Sequence, residues 1–307
     1  MIANFFNKTK PVNILNLVVL LFVFYLITSF LINDDEASTL LILKSIGYFF
    51  SYVFFLLTVN FIVSKNNLTE DNLYTLLLLT LFIGTFYQVM FAYSIIISNI
   101  ILLFSYRKIY SLKTGLNTNK KLFDAGFWIG VASLVYSESI LYIVLVYLAI
   151  IIYQKATLKN FFIPVIGLVT PLILYFTYHF YFDSLSVFFE AFNFKHNFNY
   201  FNYNQLKFLI PITFLSTIVL WSIVVVIPKI VMESNNLKLS WNVLINHLLI
   251  SLVIVLLAPI KEGSEFLFIM FPSAIIITNF LQKSQSSNFK NLILYLFLII
   301  SICVYFL

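Results

Sequence analysis

Eleven apolar runs recur along this 307-residue chain, near residues 12–32, 40–63, 73–86, 89–105, 122–135, 139–153, 160–180, 207–228, 241–259, 265–281 and 291–307. Runs of that length leave few folds open. About 20 apolar helical residues span the roughly 30 Å hydrocarbon core of a bilayer, and a backbone in lipid must bond its polar groups internally, as helices and closed barrels do. A barrel strand would alternate apolar and polar residues, whereas these are runs dominated by Leu, Ile, Val and Phe without that alternation. The expected fold class is therefore all-α, a polytopic transmembrane helix bundle. Composition agrees: 62% of residues are hydrophobic and only 10% charged, against roughly 25% charged in soluble domains. No long hydrophilic segment intervenes, so residues 1–307 read as a single integral membrane domain.

Residues 73–105 and 122–153 are each too long for one ordinary span and short for two. Charge arbitrates. With the N-terminus inside and both stretches read as hairpins, Lys8, Lys10, Lys65, Arg107, Lys108, Lys113, Lys120, Lys121, Lys155, Lys159, Lys229, Lys238, Lys283 and Lys290 fall inside. The outside then holds Lys195, Lys207 and Lys261. A single crossing by each stretch would move Arg107 to Lys121 outward and erase the asymmetry that the positive-inside rule demands. Eleven spans, or nine with re-entrant hairpins, satisfy the rule equally, and both put the C-terminus outside.

The net charge of +6 comes from lysines scattered at the ends of apolar runs, where they anchor topology, so no nucleic-acid partner is expected. Cys303 is the lone cysteine, which excludes an intrachain disulfide and a cysteine metal site. The first run is longer than a signal-peptide core and lacks a small-residue cleavage site, so it reads as a retained span. Richness in Phe, Ile, Asn and Lys fits an AT-rich bacterial genome, and the expected location is the bacterial inner membrane.

On that topology Asp34, Asp35, Glu36, Glu138, Asp183, Glu190, Glu262 and Glu265 face outward, while Glu70, Asp71, Asp124 and Glu233 stay inside. Acids contribute little to orientation, so topology leaves this bias unexplained. Asp34, Asp35 and Glu36 put three like charges side by side, which raises at least one carboxyl's proton affinity unless a cation sits among them. Such a cluster can act as a general base or offer oxygen ligands to a divalent cation, and it can also simply cap the second helix. Lys44, eight residues beyond Glu36, suits a lipid phosphate, or it snorkels. Glu138, at the tip of the second hairpin, is costly if it enters the membrane and functional by default there. The 179–207 loop carries His179, Asp183 and His196 with many aromatic and Asn residues, a composition that suits either a sugar or the headgroup belt. The turn Lys261-Glu262-Gly263-Ser264-Glu265 reads as a self-neutralised loop. His247, inside a span, reads as a bonded histidine more readily than as a proton relay. Gly126 and Gly130, with Ala132 and Ser133, form a small-residue face for close helix packing.

An acidic first external loop at Asp34-Asp35-Glu36, a helical hairpin, a basic inner loop and a second hairpin beginning Phe123-Asp124-Ala125-Gly126-Phe127-Trp128 resemble the GT-C superfamily of membrane glycosyltransferases over roughly residues 12–180. The resemblance implies a GT-C-like core in residues 1–180, with the aromatic outer loop and C-terminal spans in 181–307. It also implies transfer of a sugar from a polyprenyl-phosphate carrier at the outer leaflet, and a catalytic acid among Asp34, Asp35 and Glu36. Lys44, Glu138, His179, Asp183 and His196 would then bind substrate, membrane lipids would be partners, and any metal would sit at the acidic cluster. In pattern the whole chain also resembles uncharacterised polytopic membrane proteins of flavobacteria, a kinship that supplies no function. The competing expectations are a transporter or lipid-handling protein, which would bury charges deep in its spans, and a non-catalytic subunit of an envelope complex.

Overall fold

A computed structural model describes residues 2–32, 39–192, 194, 197–232 and 235–307. Among the described residues the regular structure is helical and no strand forms. The helices are α1 (Ile2–Phe5), α2 (Pro11–Ile32), α3 (Thr39–Lys65), α4 (Tyr74–Thr85), α5 (Tyr93–Ser111), α6 (Thr118–Val135), α7 (Ile143–Ile152), α8 (Leu158–Tyr181), α9 (Leu185–Ala191), α10 (Leu206–Val231), α11 (Asn235–Leu257), α12 (Leu267–Lys283) and α13 (Ser287–Cys303). Apart from α1 and α9, each falls on one of the eleven apolar runs. Eight stretches are long and apolar enough to cross a membrane, so the protein is an all-α polytopic helix bundle.

Each of the two long runs breaks into two helices. Residues 73–105 part at Phe86, whose ψ of 63° leaves the helical region, and a 3-10 turn over Tyr87–Phe91 leads into α5. Residues 122–153 part at the extended Tyr136, and a 3-10 turn over Ser137–Tyr142 leads into α7. The 12 residues of α4 rise only about 18 Å, well short of the roughly 30 Å core.

The chain forms two compact units, each assembled from separate stretches of sequence: one from Met1–Tyr93, Asn199–Met232 and Lys261–Leu307, the other from Ser94–Phe198 and Glu233–Ile260. In the first unit α4 packs against α2, α3, α12 and α13, and every one of its residues is buried. A helix that is apolar on all sides must be surrounded by protein or lipid, and α4 is surrounded by protein. Thr75 donates to Thr278 at 3.0 Å, Phe82 meets Phe297 edge-on at 5.3 Å, and Gly84 leaves room for Phe24, whose ring a Cβ there would approach to 2.7 Å. Enclosed in this way, α4 has no lipid-facing length to satisfy.

In the second unit the small-residue face of α6 meets α8. A Cβ on Gly126 would lie 2.1 Å from the Pro164 carbonyl oxygen, one on Gly130 2.4 Å from that of Leu168, and one on Gly167 2.3 Å from that of Phe123. Backbones can approach this closely only where side chains are missing. At one end of α6, Asp124 is paired with Lys108 of α5 at 2.6 Å.

Candidate functional site

In the first unit two 3-10 turns meet, Tyr87–Phe91 and Ser264–Phe266. The stacked rings of Phe86 and Phe266, 4.6 Å apart, hold them together. Gly263 turns the chain with a φ of +94°, which L side chains rarely adopt, and a Cβ there would come within 2.6 Å of Phe208. Its N–H therefore faces inward and donates to Glu265 Oε2 at 3.0 Å. The backbone amides of Glu262 and Glu265 are directed at the same carboxyl, and the Tyr203 hydroxyl donates to Glu265 Oε1. Glu265 is fully buried and Lys261 is 2% exposed. Lys261 Nζ stands 5.1 Å above the centre of the Tyr200 ring, an attractive placement for a cation. The Lys261 carbonyl accepts from Asn202 at 3.0 Å. Gln88 Oε1 is buried beside this turn and has no hydrogen-bond partner among the described residues.

The sequence reads the Lys261–Glu265 turn as a self-neutralised loop. The structure leaves Glu262 exposed but withdraws Lys261 and Glu265 from water and gives each its own partners. Burying an ion costs several kcal/mol even after relaxation, and a fold can be had without it. The cluster presents one acid, one ammonium, a buried unpartnered amide oxygen and five tyrosine or phenylalanine rings within one end of the unit. Chemically it suits a ligand that offers hydroxyls to Gln88 and Glu265 and an anion to Lys261.

The second unit holds a polar seam. On α11, Ser240, His247 and Ser251 share a face, since offsets of seven and eleven residues bring a helix nearly back to the same direction. The Tyr110 hydroxyl bonds His247 Nδ1 at 3.0 Å, and the His247 ring lies 4.3 Å from that of Tyr106. Ser251 donates to the His247 carbonyl at 2.9 Å, so the 2.9 Å bond between Ser251 and Tyr142 takes its proton from Tyr142. Near one end, Ser98 and Ser139 are 2.6 Å apart. Beside them Glu138 is 2% exposed; Ser137 donates to one oxygen at 2.9 Å, and Oε1 has no hydrogen-bond partner among the described residues.

The other expected site residues divide. Asp34, Asp35, Glu36 and His196 lie outside the described residues. Lys44 is exposed on α3. His179 is buried and closes the turn between α8 and α9 through Ser184, 2.7 Å from its Nδ1. Asp183 occupies that turn with a φ of 49° and is exposed. Glu138 takes its bond from its own neighbour and not from His179 or Asp183. Gln88 and Tyr203 were not singled out from the sequence. The available signal was a lone amide between two apolar runs, in Phe86-Tyr87-Gln88-Val89. No group of three or more His, Cys, Asp or Glu with metal-binding proximity occurs among the described residues.

Among the described residues, eight helices long and apolar enough to cross a membrane, an enclosed short helix and a buried charged turn define a polytopic α-helical membrane protein with a sequestered polar centre at one end of its first unit. Residues 7–307 match the family of unknown function DUF6427, and the chain belongs to that family. No curated protein and no solved structure matches it.

Proposed function

We propose that the protein is a GT-C-like membrane glycosyltransferase of the bacterial inner membrane, moving a sugar from a polyprenyl-phosphate carrier at the outer leaflet. The observation that carries this reading is the buried turn of the first unit, where Glu265 and Lys261 are withdrawn from water beside an unpartnered Gln88 oxygen. Ionisable groups held in such surroundings are expensive and concentrate at functional sites. Gln88 and Asn202 suit sugar hydroxyls, the Tyr200 and Tyr203 rings suit a sugar face, and Lys261 suits a phosphate. Glu265 can take a proton from an acceptor hydroxyl. The resemblance in the N-terminal half adds Asp34, Asp35 or Glu36 as a second acid.

A specific observation favours a second reading. The seam from Tyr110 through His247 and Ser251 to Tyr142 places bonded, protonatable groups inside the second unit, as a proton-coupled transporter requires. The test sets the two against each other in a deletion strain. Cell-envelope glycans and protein level are measured for Glu265→Gln, for Asp34→Asn with Asp35→Asn and Glu36→Gln, and for His247→Gln. Loss of a glycan with Glu265→Gln at normal protein level supports the transferase. Unchanged glycans in every acid variant, with a phenotype confined to His247→Gln, favours the transporter.

A further inference from the structure

At the other end of the first unit, α10, α12 and α13 border a cavity of about 450 Å³. Its lining is two-sided. Trp221, Val225, Phe280 and Phe289 form an apolar wall, and Lys229 and Lys283 stand with the Ser284–Ser286 loop on the polar side. Trp221, Val225 and Lys229 follow at i, i+4 and i+8 on α10, so one helix face passes from an aromatic ring to a charge. Phe280 and Phe289 meet edge-on at 5.8 Å across α12 and α13. Lys229 Nζ donates to the Lys283 carbonyl at 2.8 Å, which fixes one ammonium at the end of α12 with N–H donors to spare. Lys283 Nζ lies 3.9 Å from a carboxylate oxygen of Glu70; with Glu70 mostly in water, a pair at that distance is weak. The eighteen residue-to-residue steps from Glu265 to Lys283 rise about 27 Å along the helix axis, close to the thickness of the hydrocarbon core. The lysine cavity and the Lys261–Glu265 turn therefore stand at opposite ends of α12, about one hydrocarbon thickness apart.

We infer that this cavity is a binding site for the phosphodiester headgroup of an anionic glycerophospholipid. The two ammonium groups take the phosphate, the serine and glutamine side chains meet headgroup hydroxyls, and the wall of Trp221, Val225 and Phe289 takes the glycerol and first acyl carbons. A free phosphate would use the lysines and leave that wall in water, so the apolar half of the cavity selects the lipid. Basic pockets between membrane helices bind acidic headgroups by this combination of field and shape.

The test is lipid retention. The protein is reconstituted in bilayers of phosphatidylcholine with phosphatidylglycerol as a minor component, extracted, and weighed by native mass spectrometry. Wild type is expected to carry phosphatidylglycerol in preference to phosphatidylcholine. Each lysine lost should lower that retention about fivefold. The Lys229→Gln, Lys283→Gln double variant should therefore fall by about twenty-fivefold, while Lys229→Arg with Lys283→Arg keeps the lipid. Gln285→Glu, which adds an anion at the exposed rim and leaves both lysines in place, should also release it; this variant decides the matter if the double variant does not fold. Equal retention by wild type and the glutamine variants, or no preference over phosphatidylcholine, overturns the inference. Displacement of the lipid by inorganic phosphate at equal affinity also overturns it, since the site would then be one for a free anion.

Discussion

Single residues show where burial and chemistry part company. Glu265 and Glu138 are both buried carboxyls, yet Glu265 is surrounded by donors and Glu138 keeps one oxygen unbonded. Removing the Glu265 carboxylate leaves the Tyr203 hydroxyl and the Gly263 N–H without a partner, and an unsatisfied buried group costs about 1–3 kcal/mol. Glu265→Leu is therefore expected to lower the unfolding midpoint in detergent, and Glu265→Gln to do so less, because the amide oxygen still accepts from one of them. A midpoint that does not move in either variant would mean that the turn is more open than the structure shows. The sequence displayed the charges of this turn but not their burial, since Lys261-Glu262-Gly263-Ser264-Glu265 has the composition of a surface loop. What buries it is Tyr200, Asn202, Tyr203 and Phe208, some sixty residues earlier. The acidic trio at 34–36 was conspicuous for its charge alone.

Between elements, close packing and hydrogen bonding can be compared directly. The α6–α8 crossing depends on three missing side chains. Gly126→Ala puts a methyl where Pro164 already stands, and overpacking of that kind costs about 1–3 kcal/mol. Gly47 of α3 has nothing within 4 Å, so Gly47→Ala should be neutral or gain about 0.5 kcal/mol from helix propensity. Tyr142→Phe removes one bond of the α11 seam, and interhelical bonds in membrane proteins average about 0.6 kcal/mol. The expected order of destabilisation is Gly126→Ala, then Tyr142→Phe, then Gly47→Ala, measured by thermal unfolding in one detergent. Gly126 and Gly130 were legible as a packing face, but their partner Gly167 was not, because it stands alone between two prolines in α8. Helix positions were legible from apolar length. The two helix breaks at Phe86 and Tyr136 were legible only from span length and charge, since neither carries Gly or Pro; tertiary contacts set them.

For the whole molecule, the decisive expectation is orientation. The positive-inside count puts the loop around Lys120 on the cytoplasmic side and residues 199–204 on the outer side. Single cysteines at Lys120 and at Asn202, in a Cys303→Ser background, can be probed on intact cells with a membrane-impermeant maleimide. Asn202→Cys should label and Lys120→Cys should label only after lysis; the reverse pattern inverts the topology and moves the Lys261–Glu265 turn to the cytoplasmic surface. Apolar length and charge were enough to expect eleven helices and one bundle. They could not show that the bundle is two units woven from alternating stretches of sequence, because interleaving is a property of contacts between distant segments.

That interleaving bears on synthesis. Domains generally fold as they emerge, N-terminal parts first, but α4 is finished long before α12 and α13, two of the helices that enclose it. A nascent chain ending near residue 232 has α4 with neither of them in place and too short to rest across a bilayer by itself. The N-terminal stretch of the first unit thus stays incompletely packed until the last forty-odd residues arrive.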